Sequence, residues 1–254
     1  MRRDLVAFTP ICEPDARWID QYLAEVERLD VGFGVHFDRC SPETKRRMGS
    51  HSNCVAWTYQ DDPTLEYTEQ HKQVIFDLVC EVAGVVWALH WDADEIWEDE
   101  FIAKFLAVKH RLESHLTVSW ANMWETPDRI RSDDGGPGKL MAPAPRVKLY
   151  RIDDERQWVF DHPVIYGCKE IVDGTKVRKS EGKIRQGATD IVCLHAGLMT
   201  HELRLQHAER WDRIYGAAVG ENPYKLWHAL MDHDLHPPAT VPNVWLSDSR
   251  RVRL

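Results

Sequence analysis

Residues 85–97 read VVWALHWDADEIW. An apolar run of strand length, Val85–Leu89, leads into three carboxylates, Asp92, Asp94 and Glu95, within four positions. A run apolar at every position reads as a strand covered on both faces, as in parallel sheets. Its carboxylates then emerge at the carboxyl end, where open α/β sheets bind ligands. Three acids this close repel one another unless a cation or hydrogen-bond donors offset them. Magnesium and manganese suit such a set, binding through one or two carboxylates and completing their shells with water and substrate phosphates. A helix start uses the same residue types, because acidic side chains in a first turn favour the positive end of the helix dipole. Both readings stand for this segment alone.

The chain of 254 residues is 43% hydrophobic with a net charge of −9. That length fits one large α/β domain with an ample core, and the negative charge excludes a generic nucleic-acid binder. No apolar run approaches the ~20 residues that cross a bilayer, and the MRRDLVAF start lacks the apolar core of a signal peptide. A soluble, cytoplasmic protein is expected. The six cysteines show neither a CxxC pair nor a disulfide-framework spacing, which makes them small buried apolar groups. Trp87, Trp91, Trp97, Trp120 and Trp124 flank the acidic stretch. Aromatic faces suit sugar rings, although core packing is the commoner duty.

From the amino end, Leu5–Phe8 reads as a strand ended by Pro10, and Glu13, Pro14 and Asp15 open a helix with Ile19, Tyr22, Leu23, Val26 and Leu29 at helical spacing. Val31–Phe37 is a second strand leading into Asp38, and Ser41 before Pro42 and Glu43 is a helix N-cap. A third strand spans Cys54–Thr58, and a helix from Tyr67 carries Ile75, Leu78, Val79 and Val82 on one face and stops at Gly84. This β-α alternation predicts a parallel sheet with right-handed crossovers. Phe101, Ile102, Phe105 and Leu112 mark a helix after the acidic stretch, and Leu116–Trp120 and Arg146–Ile152 mark strands. SDDGGPGK, Ser132–Lys139, is a flexible loop, and the basic run Thr175–Arg185 reads as a solvated loop. Ile191–Leu194 is a strand ending at His195, followed by a helix with Leu203, His207, Trp211, Ile214 and Ala218 on its buried face. The histidine-rich tail His228–His236 has no standard metal spacing and reads as polar surface.

The strand exit with Pro10 and Glu13, the second strand ending in DRCSPET, WDADE after a helix, and LHAG about a hundred residues later together resemble glycosyltransferase family 2 and its GT-A fold. The family commonly has two aspartates, Gly-Ser, and a further Asp and Thr after the second strand; Phe37, Cys40 and Glu43 depart from that pattern. The resemblance implies a Rossmann-like, mostly parallel sheet flanked by helices in a single domain, 1–254, with a nucleotide-sugar-binding half over 1–98 and an irregular acceptor-side half with C-terminal helices over 99–254. It further implies that Asp38 contacts the nucleotide base, that Pro10 to Glu13 lines the base or ribose pocket, and that Asp92 faces the ribose or the metal. Asp94 and His195 would ligate a divalent cation, Mn2+ or Mg2+. Arg204 would meet a phosphate, as would His71 with Lys72. The implied donor is a nucleotide-diphosphate sugar, a UDP-sugar by preference.

These residue types fit the chemistry on their own terms. Sugar transfer develops charge on the departing phosphate, which a cation offsets, and leaves an oxocarbenium-like centre. An inverting displacement also needs a base for the acceptor hydroxyl. Asp161, in WVFDHPV between apolar stretches, is the candidate because burial raises a carboxyl pKa, with His162, Glu170 and Glu95 as alternatives. Two other functions use the same residues: a metal-dependent phosphohydrolase or nucleotidyltransferase, against which stands the absence of a Gly-rich phosphate loop, and a sugar-nucleotide-binding protein on a degenerate transferase scaffold. The acceptor class stays open among glycan, lipid, protein and a modified DNA base, since fold does not give substrate.

Overall fold

The computed structural model describes residues 2–61, 68–132, 144–152, 156–160, 168–172, 175–177, 186–197, 199–206, 209 and 239–252. Strand β1 (Arg2–Cys12) pairs in parallel with β2 (Val31–Asp38) on one edge and β4 (Trp87–His90) on the other. β3 (Cys54–Gln60) continues in parallel beyond β2, and β8 (Ala144–Arg151) closes the far side antiparallel to β4. The order is therefore β8-β4-β1-β2-β3. The direction of winding reverses at β1, which makes its carboxyl end the switch point at which such sheets bind ligands. The fold class is the one the sequence predicts: α/β, with a mostly parallel, Rossmann-like sheet flanked by helices.

Side chains on neighbouring strand residues point to opposite faces, and β2 shows what each face meets. Phe33 packs edge-on against Tyr22 of α1 (Ile19–Leu29), ring centroids 5.6 Å apart. Gly34 lies against Ile75 and Val79 of α3 (Thr68–Cys80). Helices α1 and α3 thus cover opposite faces, and all eight residues of β2 are buried. On the α3 face the core joins Val6, Phe8, Ala88 and Tyr150 to Ile75, Phe76 and Val79. α2 (Pro42–Gly49) is N-capped by Ser41, whose hydroxyl accepts from the Thr44 N–H at 3.2 Å.

The chain divides into two compact units. One comprises Met1–Ala93, Leu106–Thr117 and Val147–Thr189; the other comprises Asp94–Phe105, Val118–Arg146 and Asp190–Leu254. In the second, β5 (Glu95–Trp97) pairs antiparallel with β12 (Gln186–His195), and β7 (Thr126–Arg131) lies between β6 (His115–Trp124) and β13 (Thr240–Pro242). A separate three-stranded sheet in the first unit orders β11 (Thr175–Val177), β10 (Cys168–Val172) and β9 (Arg156–Phe160). Among the described residues no helix is long and apolar enough to cross a membrane.

Several boundaries differ from the sequence reading. β1 runs through Pro10 to Cys12 because its β4 pairing stops at Phe8; beyond that point one edge is open, and a missing N–H leaves no ladder bond unmade. Leu112 falls past the end of α4 (Phe101–Val108) and is 67% exposed. Thr175–Val177 is a strand, not loop. Residues 201–206 are helical. Residues 133–143 of the Gly-rich loop, 178–185 of the basic run, the tail 228–236 and His207, Trp211, Ile214 and Ala218 lie outside the described residues.

A methyl group at Gly34 would stand 2.6 Å from Val79 Cγ2 and 3.0 Å from Ile75 Cδ1. Gly34→Ala is expected to cost about 1–3 kcal/mol through overpacking, read as a lower urea midpoint at unchanged slope.

Candidate active site

No helix begins at the acidic stretch; β4 ends at His90, Glu95–Trp97 is strand, and α4 starts only at Phe101. The unit boundary falls between Ala93 and Asp94, so the carboxylates divide into two settings, each with its own counter-groups.

In the first unit Asp92 follows β4. Lys148 lies one step beyond the Leu89–Leu149 pair of β8 and so comes opposite His90. The Lys148 ammonium is 3.2 Å from Asp92 Oδ2 and 3.4 Å from His90 Nδ1, and His90 Nε2 is 3.1 Å from Asp92 Oδ1. Burial, aided by Lys148 and Lys72 against the opposing pull of Asp92, pushes the His90 pKa down to about 3. The ring is therefore neutral, with Nδ1 toward the ammonium and the Nε2 proton toward the carboxylate. Burial of Asp92 works against its ionisation, but His90 and Lys148 outweigh it and hold the carboxyl well below its usual range.

At the end of β2 Asp38 is closed by its own neighbour. Arg39 donates Nε to Oδ1 and Nη2 to Oδ2, both at 2.8 Å, with its backbone in the left-handed region at φ 52°. Gln60 Nε2 lies 3.5 Å from Oδ1 and His71 Nε2 3.7 Å from Oδ2. Burial raises the Asp38 pKa, and the Arg39 and His71 contacts more than reverse this, leaving it lowered. Behind it His36 stacks on His71, centroids 4.9 Å apart. His36 is 3% exposed and neither ring nitrogen has a hydrogen-bond partner. Burial, with His71 adding, lowers its pKa to about 4. His71 and Lys72 are both buried on α3.

Pro10 is half-buried in β1 beside His36. The exposed Glu13 accepts from the Ser41 N–H at 2.7 Å and the Thr44 hydroxyl at 3.2 Å, so it ties the β2-α2 turn; the Ser41 bond is the main cause of its lowered pKa.

In the second unit Asp94 and His195 meet. Asp94 Oδ2 is 3.2 Å from His195 Nε2, and the Asp94 carbonyl accepts from the Ala196 N–H at 2.8 Å. His195 Nδ1 is 2.8 Å from Asn122 Oδ1. An amide oxygen only accepts, so Nδ1 carries the proton and Nε2 turns its lone pair to Asp94. Two lone-pair atoms at that distance require a proton or a cation between them. Gly197 leaves the space they use, since a Cβ there would be 2.0 Å from Asp94 Oδ2 and 2.9 Å from His195 Nε2. The cross-strand partner of His195 is Glu95, buried and accepting from Trp120 Nε1 at 2.8 Å, and the Trp120 ring lies 4.5 Å from the imidazole.

A carboxylate and an imidazole fit a manganese or magnesium ion that completes its shell with water and phosphate oxygens. Among the described residues no cluster of three or more His, Cys, Asp or Glu side chains supplies a full protein cage. Arg204 is elsewhere engaged: it is 3% exposed, donates to Glu125 at 2.6 Å and the Met199 carbonyl at 3.0 Å, and lies 4.1 Å over Trp124. Trp87, Trp91, Trp97 and Trp124 are core residues. Asp161 and His162 lie outside the described residues. The sequence reading missed Lys148, Arg39, His36 and Asn122. Of these only Arg39 gave a signal, sitting directly after the aspartate that closes the second strand.

No family model matches the chain, and no curated protein matches it. Among solved structures the chain is similar to S. aureus TarS 1–349 at 12% identity, over 92% of this chain and 72% of that one, with a TM-score of 0.44. It is also similar to 4-diphosphocytidyl-2C-methyl-D-erythritol synthase from Anaerococcus prevotii, at 12% identity over 59% of this chain and 71% of that one, with a TM-score of 0.37. A second structure of a synthase of that name matches at 12% identity over 99% and 92% of the two chains, again at 0.37. Likenesses this distant carry no weight for the chemistry, which rests on the residues themselves.

His36 gives a pH signature. Its native pKa of about 4 lies below the ~6.5 of an unfolded histidine, so the unfolded chain binds more protons between those values. Stability is then full above pH ~6.5 and falls as pH drops toward 4. Thermal melts from pH 7 to 4 are expected to show this decline, and His36→Leu to make it shallower; an identical slope in the variant overturns the assignment.

Proposed function

We propose that the chain is a metal-dependent, inverting glycosyltransferase that moves a sugar from a nucleotide diphosphate to a hydroxyl acceptor. The observation that carries this reading is the meeting of Asp94 and His195, about a hundred residues apart in sequence, at 3.2 Å. Asp94 Oδ2 and His195 Nε2 would hold Mn2+ or Mg2+, whose charge offsets that of the departing diphosphate. Asn122 fixes the tautomer that aims the Nε2 lone pair, and Gly197 permits the approach. In the first unit, Asp92 is kept ionised and oriented by Lys148 and His90, which suits it to accept from ribose hydroxyls. Asp38 and Arg39 mark the base end. Asp161 stays the proposed base for the acceptor hydroxyl.

The test is a thermal-shift panel of uridine, guanosine and thymidine diphosphates with and without manganese, since a ligand bound to the native state raises its stability, by about 2.7 kcal/mol at a hundredfold excess over Kd. A manganese-dependent rise is expected for the wild type and its loss in Asp94→Ala and His195→Ala. Gly197→Ala is expected to weaken it at least tenfold in apparent manganese affinity while melting close to wild type without ligand. Undiminished manganese-dependent shifts in both Asp94→Ala and His195→Ala remove the metal assignment.

A further inference from the structure

Asp38 ends β2 at the carboxyl edge of the sheet, where the nucleotide base belongs on the reading above, and this inference rests on that reading. An accepting carboxylate there would read the imide N–H of uracil. This carboxylate is already engaged on both oxygens, by Arg39 Nε and Nη2 at 2.8 Å, with Gln60 at 3.5 Å and His71 at 3.7 Å on its remaining sides. The side chain that closes it is 47% exposed. A guanidinium is planar with donors on two edges; the Nε edge is spent on Asp38, and the Nη1–Nη2 edge faces away from it.

Arg39 holds this pose at a backbone cost. Its φ of 52° lies where non-glycine residues are uncommon, and strain of this kind persists only where the surroundings fix it. Here the Arg39 N–H donates to the Gln60 carbonyl at 2.9 Å, and the two-pronged bond to Asp38 fixes the side chain. Behind the pair, His36 presents a buried imidazole that makes no hydrogen bond of its own, stacked on His71. The base end therefore shows an outer guanidinium edge backed by imidazole rings, with its one carboxylate turned inward.

We infer that Arg39 sets the base preference of this site, selecting a base with two adjacent acceptors, guanine through O6 and N7, over uracil. A guanidinium fork matches that acceptor pair. Uracil instead places an N–H between two separated carbonyls, which a fork does not satisfy, and a site whose polar groups go unmatched rejects the wrong ligand strongly.

Calorimetric or fluorescence titration of the full chain with GDP and UDP, with manganese present, tests this. Wild type is expected to bind GDP about tenfold or more tightly than UDP. Arg39→Gly, which suits the left-handed backbone and so keeps the fold, is expected to reverse or abolish the preference. Arg39→Lys, which keeps the charge but not the fork, is expected to lose most of the GDP advantage. UDP binding as tightly as GDP in wild type, or a ratio unmoved by Arg39→Gly in a variant that melts normally, overturns the inference and leaves the transferase reading standing. Binding of neither nucleotide overturns both.

Discussion

In the first unit, β1 is hydrogen-bonded along both edges, and that double pairing is the constraint from which the placement of the charged groups follows. Leu5, Val6, Ala7 and Phe8 are removed from water, so the register to β2 and β4 is fixed by burial as well as by backbone bonds. Cys12 then stands beside Asp38, and Phe8 beside His90. A slip of one residue in β2 would turn His36 and Asp38 to the α1 face and drive Phe37 among the charges. The apolar strands thus act at a distance on chemistry they never touch.

Three carboxylates in four positions are a repulsive set on paper, and the structure relieves the repulsion by giving each a different companion. Asp92 faces an ammonium and a neutral imidazole, Asp94 an imidazole braced by an amide, and Glu95 an indole N–H. Lys148 is 4% exposed, and a buried ammonium persists only with partners of this kind. The consequence for function is a division of labour within one short run: Asp92 serves as an oriented, permanently ionised acceptor, while Asp94 keeps an oxygen directed at a lone pair.

Much of this was legible in the sequence because burial leaves a period. The three-and-four spacing of Ile19, Tyr22, Val26 and Leu29 is the buried face of α1, and the unbroken apolar run before WDADE is the buried strand. The convergence of Asp94 with His195 could be expected from resemblance alone, since no local pattern links residues so far apart. What stayed hidden depends on tertiary register or on one backbone angle. Lys148 sits in RVKLYRI, where nothing marks it as the residue opposite His90. Pro10 reads as a strand end unless one knows that β4 stops short of it. Arg39 reads as a solvated arginine until its φ folds it back onto Asp38.

One feature of the sheet's margin bears on how the protein behaves in company. β3 is the outermost strand of its sheet, and it exposes Trp57 and Tyr59 at 52% and 55%, stacked on each other. An outer strand carrying bare aromatic rings invites self-association. Lys45, 4.6 Å over the Tyr59 ring and 2.9 Å from Asp61, places a hydrated charge where a second molecule would have to press, and so works as a gatekeeper that keeps a sticky border soluble.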